Sequence, residues 1–394
     1  MCEEKCDYFE QHGHRYRRKH LQRRLKLAQN RRNKKAEEQI MAIIKRERER
    51  AFWRRLNYAM AKRSGKSVTR VQVAARDGSI SESSTKGEVE STLFGEIHGK
   101  RFYLAEQAPI CKGRLRGEFG YMANTPAGRA VLSGDYKCAE DLDGGTRELF
   151  EEVALLRRMI PANSVDLQVR HPKWSAKWRK AKEKTSSSHS GFHFSHYIAG
   201  ASSPLISHHH SLKASICSTF GFSLERWKQG LTCILEKTPG NCLVTKLRAI
   251  LLMEADFNAN NKIIFGERMM EVARRYGLVD DEIFSEQGRT AEDGALSKVL
   301  FYDIVRQFRI PAAISSIDAA NCYDSIAHAI ASLIFQAMGV PLEGVAAMLE
   351  AIQDMKYFLR TAYGDSTNFA NSKIEVKYQG VFAKGTVPLQ PVGQ

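Results

Sequence analysis

The stretch SSIDAANCYDSIAHAI, residues 315–330, decides how this chain is read. An apolar run ends on Asp318, Tyr323 and Asp324 follow, and a helical pattern opens at Ser325. PAAISSID (311–318) has the composition of a buried strand, so Asp318 is expected at its carboxyl end and Asp324 beside a helix N-terminus. A carboxylate at the end of an apolar strand needs a cation or a metal, because a lone buried charge is costly. Asp324 has a simpler expected role as the helix cap, where its charge meets the dipole. Tyr323 reads equally as ordinary packing, and D-x4-Y-D alone recurs by chance in many proteins.

The flanks extend the pattern in both directions. Downstream, Gly339 stops the helix, Pro341 starts another reaching about Met355, and KYFLRTAYG (356–364) and SKIEVKYQG (372–380) alternate as a β-hairpin would. Upstream, LERWKQGLTCILEK (224–237) ends at a Thr-Pro-Gly turn, and LVTKLRAILLM (243–253) reads as a strand. EADFNANNKIIFGERMMEVARRYG then reads as a helix, with acids early, Arg274 and Arg275 late and Gly277 as its stop. Thr290 and Asp293 give a capping signal for a helix with an apolar face through Leu296, Val299, Leu300 and Ile304, ended by Pro311. Further upstream, FGEIHGKRFYLAE (94–106) alternates like a hairpin, and TRELFEEVALLRRMI (146–160) is an amphipathic helix.

Charge is distributed unevenly. The 394-residue chain carries +16, of which residues 1–70, with 22 Lys+Arg against 8 Asp+Glu, hold +14. A near-neutral body with a basic arm points to polyanions, nucleic acid first. From about Arg15 to Met60 the sequence lacks Pro and Gly and is rich in helix formers. Its apolar residues cluster near Leu21–Leu27 and Ile40–Ile44, too irregularly for a coiled coil. Four regions follow: a basic helical arm (1–63), a linker and small mixed α/β region (64–170), and two regular regions (171–311 and 312–394).

Several tempting motifs lack support. SGKS (64–67) would need Gly at position 60 to end a phosphate loop, and that residue is Met60. His189, His193 and His196 have ligand-like spacing but no acidic or Cys partner, and read as structural, as do His208–His210. Trp174 and Trp178 among Lys and Arg suit a sugar-phosphate backbone, with rings to stack on bases and cations for phosphates. Eight scattered Cys, without a second metal-ligand pair or a signal peptide, read as reduced thiols of an intracellular protein, nuclear or cytoplasmic. No apolar run reaches the length of a membrane span.

Taken in order, these segments resemble the reverse transcriptases of retroelements without long terminal repeats, including open reading frames of algae and related protists. D-x4-Y-D after an apolar strand resembles the first catalytic motif of the palm. LEKTPGNCLVTKLRAILLMEADFN (235–258) resembles the fingers segment, EQGRTAEDGALSKV (286–299) the helix over the template, and GTVPLQPVGQ (385–394) the start of a Gly-Gln-Gly motif. The likeness spans about 174–394. It implies an α/β (α+β) right-hand fingers, 171–311, and a partial palm, 312–394, behind the basic arm. The implied activity is RNA-directed DNA polymerisation, with an RNA template, a DNA primer and deoxynucleoside triphosphates.

The resemblance assigns roles. Asp318 is the catalytic and metal-binding carboxylate, and Arg248 and Lys237 grip the triphosphate. Tyr323 lies under the sugar as a steric gate, and Gln394 faces the incoming nucleotide. Two Mg²⁺ (or Mn²⁺) ions would serve the in-line attack, and a complete palm is expected to hold them with acids from a later Asp-Asp turn. Residues 325–394 contain no such pair, and thumb, endonuclease and ribonuclease H signatures are not visible. The chain is therefore expected to be a fragment with little activity of its own. The alternative is a non-catalytic nucleic-acid-binding remnant of a decayed retroelement.

Overall fold

The computed structural model describes residues 21–60, 67–181, 188–279, 290–313, 315, 322–353 and 355–371. By compactness the chain divides into residues 1–64 and 65–394.

In the first unit the arm is a helical hairpin. A helix over 21–30 turns at Arg32, which takes a left-handed φ of 52°, into the helix Lys34–Met60. Leu21, Ala28 and Ile40 are buried together, with Leu25, Ala36 and Ile44 against them. The two apolar clusters that look unrelated in sequence thus face each other across a turn. Arg23, Arg24, Lys26, Arg31, Arg32, Lys34 and Lys35 remain exposed.

Among the described residues, the second unit is built on a five-stranded mixed sheet. Strands β1 (Val71–Ala74) and β2 (Ile80–Ser83) form a separate antiparallel hairpin. In the main sheet β3 (Gln229–Glu236) is central, antiparallel to β4 (Leu247–Leu252) and parallel to β5 (Lys356–Thr361). The short β6 (Gly364–Asp365) and β7 (Ala370–Asn371) both pair with β5. Gly230 lets β3 lie close beneath its neighbours, since a Cβ there would stand 2.4 Å from Met355 Sδ and 2.7 Å from Leu251 Cδ1. The main core joins Val89 and Phe102 from upstream, Ile234 and Phe265 from the middle, and Met348 and Leu359 from downstream. A second core lies among Phe119, Phe150 and Leu333. A third holds Trp174, Trp178 and Ile263.

Most helices follow their sequence signals. The helix over 255–275 carries an internal π-turn, Ile264–Met269, and ends at Gly277 in a left-handed conformation. Thr290 and Asp293 form the expected capping box on Ala291–Phe308. That helix buries no side chain among the described residues, however: Leu296, Val299, Leu300 and Ile304 are all exposed.

Two expectations fail. Residues 94–106 are helical, as a π-turn Phe94–His98 and a 3-10 helix Arg101–Gln107, not a hairpin. Val89, Leu93 and Ile97 are buried at four-residue spacing, so the helix Lys86–Leu93 runs on and helical packing overrides the apparent alternation. The buried strand expected over 311–318 is absent at its described positions, where 311–313 and 315 are exposed and unpaired in any strand. Ala312, Ala313 and Ser315 offer little apolar surface to hold a strand in a core. Asp318 and Gln394 lie outside the described residues, as do SKIEVKYQG and GTVPLQPVGQ.

Candidate functional site

The hairpin β3–β4 positions the two predicted cations. Antiparallel register sets Leu235 opposite Arg248, and the Lys237 N–H donates to the Lys246 carbonyl at 3.4 Å. Lys237 follows β3 directly and Lys246 ends the 3-10 turn Val244–Lys246 before β4, so this backbone bond sets both just beyond the paired strand residues. Gly240, at φ 84°, closes the turn between the strands, and its N–H donates to the Glu236 carboxylate at 2.9 Å. Lys237 and Arg248 are both exposed.

Asp324 sits in a one-turn 3-10 helix, Cys322–Ser325, and is 8% exposed. It does not cap the following helix. That helix starts at His328, behind Ala327, which makes no side-chain cap bond. Instead, Arg101 Nε donates to Asp324 Oδ2, forming an ion pair between residues 223 positions apart. Burial pushes the Asp324 carboxyl above its ordinary range, while the Arg101 charge and hydrogen bond and the Lys237 charge pull it back. Burial lowers the Lys237 ammonium, and the charges of Arg101, Arg248 and Lys246 lower it further. Arg101 and Lys237 therefore act on the Asp324 carboxylate, and Lys237 is also within electrostatic reach of Lys246 and Arg248, a local excess of positive charge suited to an anion. Tyr323 is half-buried against the main core, with its phenol raised first by burial. The structure thus links Lys237 electrostatically to Asp324 on one side and to Arg248 on the other.

Arg101 and Lys246 escaped the sequence reading. Lys246 was signalled by its two-residue spacing from Arg248. For Arg101 the only signal was the need of a buried carboxylate for some cation, which names no partner.

Other carboxylates are committed elsewhere. Arg226 donates to both Glu254 and Asp256, Ser188 Oγ donates to Glu254 at 2.5 Å, and Trp227 Nε1 donates to Asp256 at 3.0 Å. The expected aromatic platform also fails as an interface. Trp174 and Trp178 are 3% and 1% exposed within a core, and Lys173 and Lys177 each pair with Glu267 at 2.6 Å. These rings are flanked by cations because the helix His171–Arg179 has one buried and one solvated face. His193 and His196 form a capping box on the helix Phe194–Gly200, and His189 stacks on Phe358.

Among the described residues, no group of three His, Cys, Asp or Glu comes together as metal ligands. Among these described residues, Asp324 is committed to Arg101. No described helix is long and apolar enough to cross a membrane. No protein-family model matches this chain, and no curated protein matches it.

Proposed function

We propose that the chain supplies the fingers and part of the palm of a retroelement RNA-directed DNA polymerase, with a basic arm for nucleic acid. One observation supports this reading: Lys237 lies within electrostatic reach of Lys246, Arg248, Arg101 and Asp324, and Asp324, ion-paired with Arg101, stands six residues beyond Asp318 in sequence. Guanidinium groups can hold phosphate oxygens in pairs, and ammonium groups act as point charges, so the cluster suits the triphosphate of an incoming deoxynucleotide. In this reading Tyr323 lies under the sugar and excludes a 2′-hydroxyl. Asp318 serves the reacting phosphate, together with Mg²⁺ that a complete palm would hold. The Arg101–Asp324 pair fixes the turn that carries Tyr323.

Primer extension tests the reading. Extension on an RNA template, by this chain or by a longer frame containing it, should vanish in Asp318→Asn and fall in Arg248→Ala. Extension that survives Asp318→Asn contradicts it. A second reading, a non-catalytic nucleic-acid binder, is favoured by the exposed cations of the arm hairpin. Salt-sensitive RNA binding that persists in Asp318→Asn without any nucleotide incorporation would support it.

A further inference from the structure

A cleft of about 540 Å³, sharing no residue with the Lys237–Arg248 cluster, lies among the helices Pro126–Ser133, Gly144–Met159 and His328–Ala337 and the start of Leu342–Gln353. It is an open surface cleft with a largely polar lining. Arg129, Arg157 and Arg158 line it, with Asn163 and Gln336 as uncharged polar neighbours and Glu343 as its only acid.

The obvious structural account covers part of this. Arg157 and Arg158 stand in the last turn of their helix, where cations complement the dipole, and Arg157 Nη1 donates to the Ile160 carbonyl at 2.6 Å. That single bond leaves most of the guanidinium's five N–H donors unspent. Arg129 stands on a different helix and gains nothing from that terminus. Among the described residues, neither Arg129 nor Arg158 has an ion-pair partner. Gly134 leaves room for Arg158, since a Cβ at this left-handed position (φ 83°) would stand 2.7 Å from Arg158 Nη2. Three like charges on two helices, with Arg129 and Arg158 exposed and opposed by one exposed carboxylate, give the cleft a positive potential that favours an anion.

We propose that this cleft is a binding site for a phosphate-bearing anion, held mainly by Arg129 and Arg158 and independent of the Lys237–Arg248 cluster. The ligand chemistry is that of several adjacent phosphate oxygens, from either a free polyphosphate compound or a nucleic-acid backbone.

Arginine modification by phenylglyoxal, read peptide by peptide by mass spectrometry on the full chain, tests the site without interference from the arm. Tripolyphosphate should slow modification of Arg129 and Arg158 severalfold and leave Arg275, an exposed helix residue, unchanged. The protective concentration should rise at least ~tenfold at Arg158 in Arg129→Ala, and fall in Glu343→Gln, which removes the opposing charge while keeping the side chain's size. Asp318→Asn and Arg248→Ala should alter neither. An unlabelled twelve-nucleotide uridine RNA that also protects both arginines would identify a backbone as the source. Protection by tripolyphosphate alone would identify a free phosphate compound. Absence of selective protection at Arg129 and Arg158, or protective concentrations unmoved by both Arg129→Ala and Glu343→Gln, overturns the proposal.

Discussion

Arg101 and Asp324 join distant parts of the chain through one ion pair whose side chains are 22% and 11% exposed. Arg101→Ala would strand a mostly buried carboxylate, so stability at neutral pH should fall by about 1–3 kcal/mol in urea denaturation. The pH dependence has a definite sign. Folding raises the Asp324 pKa above 3.8, so its favourable contribution is full below that value and lost as pH rises through the folded pKa. Removing Arg101 deletes the main opposing influence and raises the folded pKa further. The deficit of Arg101→Ala should therefore shrink as pH is lowered toward that raised pKa, as Asp324 takes up a proton. The sequence could not separate this role from a helix cap, because an Asp three or four positions before a helix looks the same in either. Trp178 illustrates the converse. Its 1% exposure makes Trp178→Ala a core deletion of about 3–5 kcal/mol. The folded variant, compared at low temperature, should bind RNA as the wild type does, because this ring is not an exposed stacking platform.

At the scale of elements, β3 bears the most constraint, pairing with β4 on one side and β5 on the other. Gly230→Ala would drive a methyl group into Met355 and Leu251, so thermal unfolding should show a loss of about 1–3 kcal/mol from overpacking. Helices with clear ends were legible because caps and stops are local chemistry: Thr290 with Asp293, and Gly277, acted where expected. Strand β4 was legible as a short apolar run. The segment over 94–106 was not, because its alternation competed with the four-residue spacing of Val89, Leu93 and Ile97 that begins before it. The burial of small faces was also hidden. The helix Pro204–Phe220 buries Ser207, Ser211, Ala214 and Cys217 while exposing Leu205, Leu212, Ile216 and Phe220, the reverse of what hydrophobicity alone would assign.

For the whole molecule, the uneven charge was the plainest signal in the sequence, and its described part from Arg23 to Lys35 lies exposed on the helical hairpin. RNA affinity should fall steeply with salt, and Arg23→Ala/Arg24→Ala should weaken binding across sequences. The same change should reduce the log–log salt slope by roughly 0.7 for each single-strand phosphate that is no longer neutralised. The convergence of Arg101, Lys237, Lys246 and Arg248 could not be read from sequence, since it depends on long-range packing; only the members on β3–β4 had local signals. The most direct test of the proposed function is retention of a labelled deoxynucleoside triphosphate by the chain with an RNA template and DNA primer in magnesium buffer. The nucleotide complementary to the next template base should be retained over mismatched ones, and Arg248→Ala should weaken this at least ~tenfold. Equal retention of matched and mismatched nucleotides, unaffected by Arg248→Ala, would contradict the polymerase reading.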